Sequence, residues 1–77
     1  MCLGIPAELV ELLPGAMGRV VVDGTHEDIV SLSLTPDARP GEHLLLSVGF
    51  ALERIDRADA QARAEALREI GIFPGRR

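Results

Sequence analysis

The chain has 77 residues and a net charge of −4, from 12 acidic residues against 8 basic ones, all arginine. That is enough for one small domain, which buries only about 60% of the surface its unfolded chain exposes; a core and a deep, enclosed substrate pocket cannot both be built, so a binding or carrier role fits better than a self-sufficient enzyme. With no Trp, no Tyr, two Phe and no basic block, the stacking platform and cationic groove that single-stranded nucleic acid requires are missing. The hydrophobic fraction of 47% lies in the folded range. No apolar run reaches the roughly 20 residues of a membrane span, and the first residues lack the basic and long apolar regions of a secretory signal. A cytoplasmic protein without a membrane partner is expected. One cysteine allows no internal disulfide to staple the core.

Leu3 to Leu13 reads as a strand, with Leu3, Ile5, Ala7 and Leu9 on one face and Glu8 on the other. Pro6 places this segment at a sheet edge or a strand's beginning, since it cannot donate to a ladder. Pro14 to Gly18 is a turn by composition. Arg19 to Asp23 is a short β-branched strand, and Asp23-Gly24 is a tight-turn signal because both residue types tolerate positive φ. His26 to Leu34 alternates Val30, Leu32 and Leu34 with Ser31 and Ser33, as a half-exposed strand does. Thr35 to Glu42 is a polar loop with two prolines and a glycine. His43 to Leu52 reads as one further strand, with Leu44, Leu46, Val48 and Phe50 facing the core and His43, Leu45, Ser47, Gly49 and Ala51 on the other face.

The period then changes. Asp56 is a good N-cap, and residues 57 to 70 are rich in helix formers. Ala60, Ala64, Leu67 and Ile70 make a thin apolar stripe. Asp59 and Arg63 are spaced for an i,i+4 pair. Gly71 suits a left-handed stop, Ile72 can pack back on Leu67, and Pro74 opposes continuation. The reading is a single domain: strands over 1–54, a helix over 56–71 and a tail over 72–77. Four to five short strands joined by hairpin turns curl readily into a small barrel, so the expected class is mostly β with one C-terminal helix.

Cys2 is the residue with the most chemistry. Elsewhere in the chain a lone cysteine would read as a small hydrophobe. Next to the initiator methionine, which is expected to be removed, it would carry a thiol and a free α-amine at the loosest end of the chain. Its thiolate is the form that attacks or binds metal. His26 and His43 stand in no metal-ligand spacing and are weak candidates. No nucleophile–base–acid constellation or phosphate loop is legible.

Two segments point to a family. Met1-Cys2-Leu3-Gly4-Ile5-Pro6 and Gly41 to Ala51, GEHLLLSVGFA, resemble the HypC/HupF family of [NiFe]-hydrogenase maturation chaperones, which begin MC-hydrophobic-G-hydrophobic-P and later carry a VHVGFA segment ahead of a helix. The resemblance spans nearly the whole chain. It implies an OB-like barrel with a C-terminal helix and a non-enzymatic role. It also implies partners, an iron–sulfur scaffold protein of the HypD type and the precursor of the hydrogenase large subunit. The implied cargo is iron with cyanide and carbon monoxide ligands, bound transiently through Cys2, with no permanent cofactor. The family's histidine in VHVGFA is Ser47 here, and a serine hydroxyl is a poor iron ligand. The resemblance therefore leaves two expectations: an iron-carrying chaperone, or an interaction protein of the same family that binds partners without iron. His43 stands where the family has an aromatic residue, roughly 13 Å along the strand from Ser47 at 3.3 Å per residue.

Overall fold

The computed structural model of the chain describes residues 4–71. Five strands, β1 (Ile5–Leu13), β2 (Met17–Val22), β3 (His26–Ser31), β4 (His43–Ser47) and β5 (Phe50–Ile55), close into a barrel in the order β1-β2-β3-β5-β4, followed by helix α1 (Arg57–Glu69). This is the mostly-β barrel with one C-terminal helix expected from the sequence, in the strand order of a five-stranded Greek-key barrel. No described helix is long and apolar enough to cross a membrane.

The alternation in β1 sends Ala7 and Leu9 inward, where they meet Val20, Val30, Leu32, Leu44, Leu46 and Ala51 in the barrel core. Leu3, placed on the same face by the sequence, lies outside the described residues. Gly18 also faces this core. A Cβ there would stand 2.8 Å from Leu9 Cδ1 and 2.9 Å from Leu32 Cδ1, so β2 approaches its neighbours as only glycine allows. Asp23 and Gly24 both adopt positive φ in the β2–β3 turn, as their residue types suggested.

Helix α1 lies on the outer wall over β1 and β4. There the outward-facing Pro6 and Leu45 are buried, as are Ala60 and Leu67 of the helix. The Asp56 carboxylate accepts the Asp59 N–H at 2.7 Å, the expected N-cap, and Arg63 Nε meets Asp59 Oδ1 at 3.0 Å. Gly71 takes φ +88° at the stop. Arg68 reaches Asp23 at 3.2 Å and ties the last turn of α1 to the β2–β3 turn. Ile72 lies outside the described residues.

Met17 and Gly18, read as the end of a turn, instead open β2, because they pair with Leu13 and Leu12 of β1; three further details differ from the sequence reading. First, His43 to Leu52 is not one strand. Val48-Gly49 is a two-residue hairpin between β4 and β5, with φ of +53° and +81°. The reversal changes the facing of everything after it: Ser47 pairs with Phe50 and Leu46 with Ala51, so Ala51 is buried, while Val48 and Phe50 are 81% and 44% exposed. Second, β3 ends at Ser31; Leu32 still reaches the core, but Leu34 is exposed in the following loop. Its backbone course is set there by turn bonds, with Thr35 N–H donating to Leu32 at 3.0 Å. Third, Ile70 is exposed because α1 ends at Glu69 and the helical stripe with it.

Candidate functional site

The described part of the first motif that carries the family resemblance, Gly4 to Pro6, meets the 47–51 part of the second through barrel closure. β1 and β4 are antiparallel, and their pairing runs from Glu8–His43 to Ile5–Leu46. The start of β1 therefore lies at the Ser47 end of β4, beside the β4–β5 hairpin. A Cβ on Gly4 would overlap the Leu45 side chain, so the incoming chain is pressed against β4 where only glycine fits. Cys2 lies outside the described residues, two positions before Gly4.

Ser47 is half-buried and closes the hairpin opposite Phe50. On the far side of Phe50, Ser31 pairs in parallel, and its N–H donates to the Gly49 carbonyl at 3.0 Å. Ser31 in turn stands opposite Met17 of β2. Met17, Ser31, Phe50 and Ser47 thus form one row across four strands.

The histidines do not join this end. His43 pairs with Glu8 and Ile55 at the start of β4, about 13 Å from Ser47 along the strand. There, with Glu42, Arg54 and Arg57, it lines a shallow cleft of about 300 Å³ beside the first turn of α1. His26 is exposed and opens β3, five residues from Ser31 or about 16 Å along the strand. Among the described residues no three His, Cys, Asp or Glu side chains are grouped to hold a metal ion.

Carboxylates dominate the outer wall near the row. Arg19 on β2 is engaged by Glu11 at 2.7 Å and Glu27 at 3.2 Å. The hydrogen bond that Arg19 donates to the Glu11 carboxylate, with the charges of Glu27 and Glu11 behind it, holds the Arg19 guanidinium above its ordinary pKa. Asp28 turns its carboxylate back to accept the Ile29 N–H at 2.9 Å. Sequence reasoning missed the hairpin and its exposed apolar residues. The only signal was Gly49, because valine is a poor first residue for such a turn, where asparagine or aspartate is usual.

Comparison with known proteins agrees with this arrangement. The HupF/HypC family model matches residues 1–67. The hydrogenase maturation factor HypC of Rhizobium leguminosarum bv. viciae is 42% identical over 69 residues, covering 90% of this chain and 91% of that protein. HypC of Synechocystis sp. is 32% identical over 77 residues, covering 94% of this chain and 100% of that protein. The hydrogenase maturation factor HybG of Escherichia coli (strain K12) is 32% identical over 76 residues, covering 91% and 92%. A family match that includes both motifs and relatives matched almost end to end make this chain a member of the HupF/HypC family.

Proposed function

We propose that this protein is a cytoplasmic [NiFe]-hydrogenase maturation chaperone and not an enzyme. In this reading Cys2 carries, or helps assemble, an iron centre with cyanide and carbon monoxide ligands. The iron is cargo, gained together with an iron–sulfur scaffold protein of the HypD type and delivered to the large-subunit precursor. The observation that carries the reading is the Ile5–Leu46 pairing, which sets the start of β1 beside the Ser47 hairpin at one barrel end. Two peptide units separate Cys2 from Gly4, so chain connectivity keeps its Cα within about 7 Å of that glycine. A thiolate there would donate an electron pair to iron, its proton passing to solvent, and the bond would be exchanged for one to the receiving protein.

A second reading, an interaction protein that binds the same partners without iron, is favoured by one residue. Ser47 stands where the family places a histidine. Infrared spectra of the protein, purified anaerobically with its co-expressed scaffold partner, separate the two. Iron-bound cyanide and carbon monoxide bands that vanish in Cys2→Ala support the carrier. Co-purification without the bands supports the interaction protein. A Cys2→Ala variant that unfolds would return Cys2 to a structural role.

A further inference from the structure

We propose that the β4–β5 hairpin is a docking contact, with Val48 as its apical side chain and Phe50 and Ile29 beside it, and that it fits a protein partner offering an apolar recess bordered by arginine or lysine. This rests on the maturation reading, and the occupant is the scaffold protein of that reading.

Val48 is the starting point. A β-branched residue at φ +53° is an outlier, because its side chain crowds the backbone there. Asparagine or glycine would hold the same turn without that strain. The barrel gains no burial in return, since Val48 is 81% exposed. The other positive-φ non-glycine residues, Ala16 and Asp23, are not β-branched. A strained side chain that packs on nothing in its own fold points to use outside it.

Its neighbours extend the feature. Phe50 is 44% exposed and Ile29 is 54% exposed. Ser31 pairs with Phe50 in parallel. Ile29 lies two residues before Ser31 and Val48 two before Phe50, so both fall on the same side of that contact. In five-stranded barrels of this order, the β2–β3 face and the β1–β2 and β4–β5 loops form the usual ligand surface. Among the described residues that surface offers aliphatic side chains, one phenyl ring and the already paired Arg19, not the row of free cations that nucleic acid needs.

The rim identifies the occupant's chemistry. Glu11 and Glu27 lie on this wall and share the cation Arg19 between them, which leaves one carboxylate in excess. A second copy of this chain would set carboxylates against carboxylates, whereas a basic rim would complement them. The start of β1 reaches the same end of the barrel, so a partner seated on the hairpin would also lie beside Gly4 and Ile5.

The test measures both stability and capture. Val48→Asn, Phe50→Ser and Glu27→Lys are compared with the wild type by denaturant unfolding and by titration against the purified scaffold protein. Val48→Asn is expected to raise the unfolding midpoint and to weaken scaffold binding at least tenfold. Phe50→Ser is expected to weaken binding similarly, and Glu27→Lys to slow association most at low salt. Val48→Asn that binds as the wild type does would overturn the docking contact while leaving the maturation reading intact. Wild-type self-association that Val48→Asn abolishes would overturn the choice of occupant. A wild-type chain that does not bind the scaffold at all would sink the maturation reading, and this proposal with it.

Discussion

Phe50 and Ala51 test the facing of β5 directly. If the strand ran straight through from β4, Phe50 would be core, and Phe50→Ala would cost about 3–5 kcal/mol. The hairpin instead leaves Phe50 44% exposed and Ala51 fully buried against Leu46. A fully buried phenyl group contributes about 1.5–3 kcal/mol relative to an exposed one. With roughly half its surface covered and no closed cavity left behind, Phe50→Ala is expected to cost about 1–1.5 kcal/mol. Ala51→Leu puts three extra carbons into a filled barrel and is expected to cost about 1–3 kcal/mol. Both fall within the total stability of about 4–12 kcal/mol expected for a domain of this length, so both variants should remain foldable. The chain has no Trp or Tyr, so urea unfolding is followed by far-ultraviolet circular dichroism and analysed as two-state. A loss of 3 kcal/mol or more in Phe50→Ala, with little change in Ala51→Leu, would place Phe50 inside and refute the hairpin.

Other substitutions probe the rest of the frame by the same unfolding measurement. Gly18→Ala drives a methyl group into Leu9 and Leu32 and is expected to cost about 1–3 kcal/mol; a neutral result would mean that β2 can move away from its neighbours. Asp56→Ala removes the bond to the Asp59 N–H and should lose about 1 kcal/mol and some helical signal. Thr35 Oγ1 is buried without a hydrogen-bond partner among the described residues. Thr35→Val keeps the shape, removes the desolvated hydroxyl and should gain about 1 kcal/mol.

Much of this structure was legible because local and global signals coincide. The alternation of Ile5, Ala7 and Leu9, the Asp23-Gly24 turn and the Asp56 cap each state one geometry, and the fold adopts it. The β4–β5 reversal was not legible because Val48 contradicts its own backbone. Alternation read across Leu44, Leu46, Val48 and Phe50 is perfect for a strand, and Gly49 alone is too weak a signal that the chain folds back at Val48-Gly49. The end of β3 was hidden for a related reason: Leu34 continues the alternation of Val30 and Leu32, while a turn bond to Leu32 takes the chain elsewhere. In the candidate site, the residues were visible one by one. What the sequence did not contain was the register that sets Ile5 against Leu46.

That register also limits how the missing histidine could be replaced. His43 is held by pairs on both sides, with Glu8 and with Ile55. Carrying it to the place of Ser47 would require a four-residue slip of β4, breaking all four β1–β4 pairs and withdrawing Leu44 and Leu46 from the core. His26 is fixed on β3 opposite Val22 and is no nearer. If the proposed reading holds, no described histidine stands in for the lost one, and any further donor to the iron comes from its own ligands, from the chain start or from the partner. Ser47→His then has a specific expected result. Ser47 is half-buried beside an exposed hairpin, so an imidazole can be accommodated with little loss of stability. Capture of the scaffold should be unchanged, because Val48, Phe50 and Cys2 are not altered. The infrared bands of the cargo should persist longer after the chain is separated from the scaffold, since a second protein ligand slows dissociation of the iron. Bands that decay equally fast in Ser47→His and the wild type would show that position 47 does not touch the iron, and that Cys2 alone defines this chain's share of the site.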